Sequence, residues 1–128
     1  MTAIQNLSAP LGRLLLSLIF VVSGVGKIGA YAGTQAYMDS MGVPGVLLPL
    51  VIILEVLGGL AIIVGWQARI AAFLLAGFCL LSAVLFHGNI GDQGEQIQFL
   101  KNLGLAGGFL LIVAHGAGAW SLDNRRGA

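Results

Sequence analysis

Glu55 stands inside an otherwise apolar run, residues 49–64, and four side chains able to hold or donate a proton accompany it at the edges of other apolar runs: Lys27, His87, Lys101 and Asn102. A carboxylate, ammonium and imidazole donors, and an amide in an apolar slot can hold an aromatic or quinone ring by its oxygens and move protons during its reduction. An acidic side chain at the centre of a membrane helix costs about 2.5 to 3.5 kcal/mol on insertion scales. Glutamate cannot reach the surface from mid-helix, so Glu55 has to be neutral, paired or beside water. The other four have plainer uses as well. Lys27 and Lys101 could snorkel to the surface on their stems, His87 could be solvated at a helix end, and Asn102 could be glue between helices.

The elements that must position these groups are membrane helices. The 128-residue chain is 58% hydrophobic and only 9% charged, against roughly 25% charged in soluble domains, and its mean hydropathy is +0.97. Four apolar stretches, residues 11–28, 46–64, 70–86 and 99–114, each approach the roughly 17 to 25 residues that a helix needs to cross a bilayer. Their continuous apolarity lacks the alternation of a barrel strand, and helices satisfy every backbone group internally. The expectation is an all-α, integral membrane four-helix bundle forming a single domain over residues 1–128, with the lipid bilayer as its environment and no soluble domain.

Ser8 and Pro10 fit the cap and first turn of the first helix. Residues 31–42 are too polar to span, yet Tyr37, Met38 and Met41 share one side of a short helix that Thr34 could cap and Gly42 could end. This segment is expected to lie flat at the interface between the first two spans. Residues 65–67 read as a tight reversal, 87–96 as the longest polar loop, and 121–128 as a polar tail. The first run followed by Ala30, Tyr31 and Ala32 imitates a signal peptide with its cleavage site, but Lys27 interrupts the approach and no Lys or Arg precedes Arg13. It reads as a retained helix.

Charge bias sets the expected orientation. Arg13, Arg69, Arg125 and Arg126 fall on one side, and Lys27 and Lys101 on the other with Asp39, Asp92 and Glu95. Both termini are then cytoplasmic, with Tyr31 and Tyr37 at the outer interface and Trp66 and Trp120 at the inner one. Scattered basic residues form no stripe for nucleic acid. A single cysteine, Cys79, excludes a structural disulfide or a dithiol relay.

In the first helix Arg13, Ser17, Phe20, Gly24 and Lys27 recur at steps of four and three and so share one stripe. Ala72, Ala76, Ala83 and His87 share a face of the third. Gly58, Gly59 and Gly65 thin the second helix, and Gly104 with Gly108 forms a small-xxx-small pair in the fourth, all suited to close packing. Lys27, His87, Lys101 and Asn102 thereby converge on the outer half, with Glu55 below them. Ser23 to Lys27 imitates a phosphate loop, but Val21 and Ile28 stand where it needs glycine and Ser/Thr. The two histidines lie near opposite ends of their helices, roughly 20 to 25 Å apart at helical rise, so they cannot share a haem iron within one chain. No cysteine or carboxylate repeats at ligand spacing, so no metal is assigned. Flavin and nicotinamide fingerprints are also absent.

Gly12-Arg13-Leu14-Leu15, the Gly-x-x-Lys from Gly24 to Lys27, the Glu-x-x-Gly-Gly from Glu55 to Gly59 and Lys101-Asn102 together resemble the DoxX family, with Tyr31-Ala32-Gly33-Thr34-Gln35, Met41-Gly42-Val43-Pro44-Gly45 and Phe86-His87 strengthening the match. The resemblance spans all four helices. It implies a bacterial inner-membrane four-helix protein of a family described as oxidoreductases, which in turn resembles the membrane component of a thiosulfate:quinone oxidoreductase. Arg13, Lys27, Glu55, His87, Lys101 and Asn102 occupy the polar positions of that family pattern.

The function expected from these readings is a quinone-linked membrane oxidoreductase, or a subunit of one, that binds a lipophilic aromatic in an outer-leaflet polar pocket. Glu55 would be its catalytic residue and Lys27, His87, Lys101 and Asn102 its ligand-binding residues, supported by Arg13, Ser17, Gly24 and Gly59. Without a cofactor fingerprint of its own, a redox role requires a diffusible quinone or a redox partner protein. Two alternatives stay open. One is a small proton-coupled transporter, which would work as a homo-oligomer. The other is a non-catalytic scaffold of a redox or stress complex.

Overall fold

A computed structural model describes residues 2–89 and 91–127, with backbone alone at 125–127. The helices are α1 (Ala3–Gly29), α2 (Tyr31–Ser40), α3 (Leu48–Val64), α4 (Ala68–Phe86), α5 (Gln93–His115) and α6 (Leu122–Gly127), with a 3-10 turn, Gly45–Leu47, ahead of α3. No strand occurs among the described residues. The four long helices are apolar and long enough to cross a membrane. The chain is an all-α membrane protein whose long helices form a bundle.

Several ends fall elsewhere than the sequence reading puts them. The first helix begins before Ser8, because Thr2 and Gln5 form a reciprocal capping box: Gln5 N donates to Thr2 Oγ1 at 3.2 Å and Thr2 N to Gln5 Oε1 at 3.0 Å. Pro10 consequently lies inside α1, where it lacks the N–H that would reach the carbonyl of Asn6. Ala30 alone separates α1 from α2, and Thr34 sits one turn into α2, its hydroxyl donating to the Ala30 carbonyl rather than capping the helix. Gly42, at φ +81°, ends α2 as expected; Gly42 N donates to Asp39 O and Val43 N to Met38 O, a Schellman closure. The fourth long helix starts at Gln93, well ahead of its apolar run, because the Asp92 carboxylate accepts from Glu95 N at 3.0 Å. The 87–96 loop shortens accordingly, and its residue 90 lies outside the described ones.

Packing inverts the soluble pattern. Leu15, Val22, Leu50, Phe73, Leu81 and Leu111 face outward while Arg13, Ser17 and Glu55 are buried. With lipid outside, apolar burial cannot drive the helices together, so small residues let them pack instead. α1 lies along α3, α4 along α5, and α3 also touches α4. A Cβ on Gly24 would come within 2.6 Å of Val56 Cγ2, and one on Gly59 within 2.8 Å of Val21 Cγ2. Gly58 lies against Leu75, and Gly108 against Leu16, whereas Gly104 faces open space. The buried residues of α1 are Arg13, Ser17, Phe20 and Gly24, four of the five in the predicted stripe, and the fifth, Lys27, is half-buried. Phe20 meets Phe109 of α5 edge to face at 5.3 Å, joining the two helix pairs at mid-height.

One end of the bundle is closed by polar bonds. Arg13 Nη1 donates to the carbonyls of Ala117 and Ala119, and Nη2 to that of Trp120, at 2.6 to 3.0 Å. The polar tail folds back as α6. Its Asp123 carboxylate accepts from Gln67 N and Ala68 N, both at 2.8 Å, and so caps α4 from a distance. Gly65, at φ +74°, turns the chain here, and a Cβ on it would overlap Ser121. Arg13→Gln should lower stability by about 3 kcal/mol, since hydrogen bonds to a charged group are worth roughly 1.5 to 3 kcal/mol each and are not additive. The unfolding midpoint in denaturant titration of detergent-solubilised protein measures it.

Candidate functional site

At the end of the bundle away from Arg13, the two helix pairs part and leave a half-open cavity of about 420 Å³. Lys27, Glu55, His87, Lys101 and Asn102 all line it. Five residues from four helices, far apart in the sequence, therefore share one hollow. Its remaining wall is chiefly apolar, with Phe20, Phe78 and Leu105 toward the core and Tyr37 and Met38 of α2 across its mouth.

The base is an ion pair between α1 and α3. Lys27 Nζ lies 2.8 Å from Glu55 Oε1 and also donates to Ser23 Oγ at 2.6 Å. The Glu55 contact is an electrostatic one without hydrogen-bond alignment, since that buried oxygen has no hydrogen-bond partner among the described residues. The Glu55 side chain is 4% exposed and that of Lys27 26%, so the carboxylate is the member that depends on its partner. Gly24 makes the pair possible. A Cβ there would sit 3.2 Å from Glu55 Cβ, so only a bare backbone lets α1 come close enough for Lys27, one turn later, to reach across.

At the mouth, His87 Nδ1 is 3.1 Å from Glu95 Oε2, linking the end of α4 to the start of α5. That contact occupies one ring nitrogen and leaves Nε2 for a ligand. Tyr37 stacks on Phe86 at 5.5 Å between ring centres, holding α2 against α4. Asn102 Nδ2 donates to the Cys79 carbonyl at 3.3 Å, which leaves the amide oxygen to accept. Lys101 stands about two turns into α5, because the helix begins earlier than its apolar run.

The four residues expected to support the site do not line the cavity. Arg13 closes the opposite end. Ser17 is fully buried, with its hydroxyl lacking a partner among the described residues. Gly24 and Gly59 set the approach of α1 to α3. Ser23, Thr34, Cys79, Ser82 and Gln98 also line the cavity but are not among the residues the sequence singles out for ligand contact. Two of them carried a helical signal: Ser23 lies four residues before Lys27 and Gln98 four before Asn102, the spacing that puts side chains on one face.

Residues 9–88 match the sequence model of the DoxX family. That stretch contains Lys27, Glu55 and His87, while Lys101 and Asn102 lie beyond it. The chain is 48% identical over 123 residues to "Inner membrane protein YqjF" of Escherichia coli (strain K12), covering 96% of this chain and 95% of that protein. It is 35% identical over 122 residues to "Inner membrane protein YphA" of the same organism, covering 90% and 87% respectively. No solved structure matches the chain.

The unequal exposure of the ion pair makes the two single substitutions unequal. Lys27→Met strands a buried carboxylate and should cost about 3 kcal/mol, the lower end for breaking a buried pair. Glu55→Leu leaves an ammonium that can snorkel and should cost less. The double variant should recover most of the Lys27→Met loss. Unfolding midpoints of the three variants test the ordering.

Proposed function

The chain belongs to the DoxX family, and from that premise we propose that it is a quinone-linked oxidoreductase component that binds a lipophilic aromatic in the cavity between its helix pairs. The observation that carries this reading is the buried Lys27–Glu55 pair at the base of a hollow otherwise walled by apolar side chains. A cavity of about 420 Å³ lies within the range of roughly 300 to 1,000 Å³ typical of small-molecule pockets, and its few convergent polar groups suit a ring with polar edges. Donors and acceptors are both available: the Lys27 and Lys101 ammoniums, His87 Nε2 and the Asn102 amide oxygen.

Full reduction of a quinone to its quinol consumes two electrons and two protons. In this reading the electrons come from a redox partner protein, since the sequence carries no flavin or nicotinamide fingerprint. Glu55 gives a proton to a ring oxygen held against it and is recharged from the mouth, past His87 and Glu95. Lys27 balances the carboxylate whenever it is ionised. Tyr37 and Met38, on the surface helix α2, cover the ligand.

Because both similar E. coli proteins carry the name of inner membrane proteins, we take the same location for this chain. The termini are assigned to the cytoplasm, so that the cavity opens toward the outer leaflet. The supporting distribution sets Arg13 and Arg69 at one end and Lys27, Lys101, Asp39, Asp92 and Glu95 at the other. The side chains of Arg125 and Arg126, which enter the same bias, lie outside the described residues.

Protein purified in mild detergent from bacterial membranes should retain quinone, detected by solvent extraction and mass spectrometry. Glu55→Gln, which preserves shape, should reduce the retained amount at least tenfold while eluting as the native protein does in gel filtration. Absence of quinone from native protein, or equal retention by both, would overturn the assignment.

A further inference from the structure

The acidic groups of the chain are all committed, and one cation on the cavity wall is left over. Five carboxylates are present in the sequence. Glu55 faces Lys27 and Glu95 faces His87. Asp39 accepts from Gly45 N, Asp92 from Glu95 N, and Asp123 from Gln67 N and Ala68 N. Lys101 lines the cavity yet forms neither an ion pair nor a hydrogen bond with any other described residue. The base of the cavity is thus charge-balanced, whereas its α5 wall carries a positive charge that no acidic side chain among the described residues offsets.

We propose that the ligand is an anionic lipophile: an aromatic or quinone whose ring bears an ionised oxygen, with that oxygen against Lys101 and its neutral oxygens toward the Lys27–Glu55 base. The inference rests on the cavity being a ligand site and narrows the class of ligand that fits it. The Lys101 ammonium can donate to a neutral oxygen as well, but an ionised oxygen on a mostly apolar wall adds the attraction of opposite charges to that hydrogen bond. A neutral ring leaves Lys101 uncompensated. A ligand with a cationic substituent there meets like charge.

The test compares a hydroxynaphthoquinone, ionised at neutral pH, with its neutral methoxy analogue by calorimetric titration of the full chain in detergent. The hydroxy compound should bind about fivefold tighter, the upper end of what an ion pair to an exposed ammonium contributes. Lys101→Gln should bring that ratio close to one, and Lys101→Arg should keep it. Lys101 is exposed, so neither variant threatens folding. Equal binding of the two compounds by native protein, or a ratio unchanged in Lys101→Gln, would overturn the charge preference and leave the cavity as a site for neutral rings. Binding of neither compound would remove the ligand site itself, and this inference with it.

Discussion

The pairing of Lys27 with Glu55 is the constraint around which the rest of the bundle is arranged. A carboxylate in the third helix cannot be left alone in a low-dielectric interior, and its partner has to come from α1. That requires two backbones close together, which the sequence provides through Gly24 opposite Glu55 and Gly59 opposite the Ser17 carbonyl. The same close approach ties α1 to α3 along their length. The other pair, α4 with α5, packs through alanines and Phe109, and the two pairs meet where α3 lies against α4, with Gly58 on Leu75, and where Phe20 and Leu16 of α1 reach α5.

From that pairing follows the asymmetry of the two ends. At one end Arg13 collects three carbonyls after α5, and Asp123 caps α4, so backbone groups released by the turns find charged partners. Such bonds hold the helix ends together and leave Arg13 and Asp123 committed. At the other end the ties are made by single side chains, Lys27 with Glu55 and Asn102 with the Cys79 carbonyl lower down, and His87 with Glu95 and Tyr37 on Phe86 at the rim. A bundle fastened at one end and parted at the other has a cavity as its geometric consequence. Arg13 and Lys27 sit on one stripe of one helix, yet Arg13 serves the closed end and Lys27 the open one.

Much of this was legible in the sequence. Four apolar runs in a chain with few charges leave little alternative to membrane helices, and a period of three and four residues put Arg13, Ser17, Phe20 and Gly24, which are buried, on one face with the half-buried Lys27. Convergence of Lys27, Glu55, His87, Lys101 and Asn102 followed from tracking depth along each helix. What periodicity could not supply were contacts made by the chain's polar ends. The Thr2 and Gln5 capping box moved the start of α1, Asp92 moved that of α5, and the tail residue Asp123 reached α4 across more than fifty positions. Arg13 shared the stripe of the site residues, but a shared stripe fixes direction around a helix and not height along it. Height separates a residue that closes the bundle from one that lines the cavity.

Stability alone gives no reason to keep this arrangement. A buried ion pair generally contributes no more than well-packed apolar side chains of similar volume, and replacing it can even stabilise a protein. Leucine at position 55 and methionine at 27 would fill the same gap between α1 and α3 without dehydrating two charges. The chain instead keeps the pair, places it at the floor of a hollow, adds Asn102 and His87 each with one polar atom already satisfied, and leaves the Lys101 ammonium without an acid. Groups half-used by the protein have capacity for something else. A wall that combines spare donors and acceptors with a net positive charge contributes nothing to packing, and it has a physical use once a ligand with complementary oxygens is held against it.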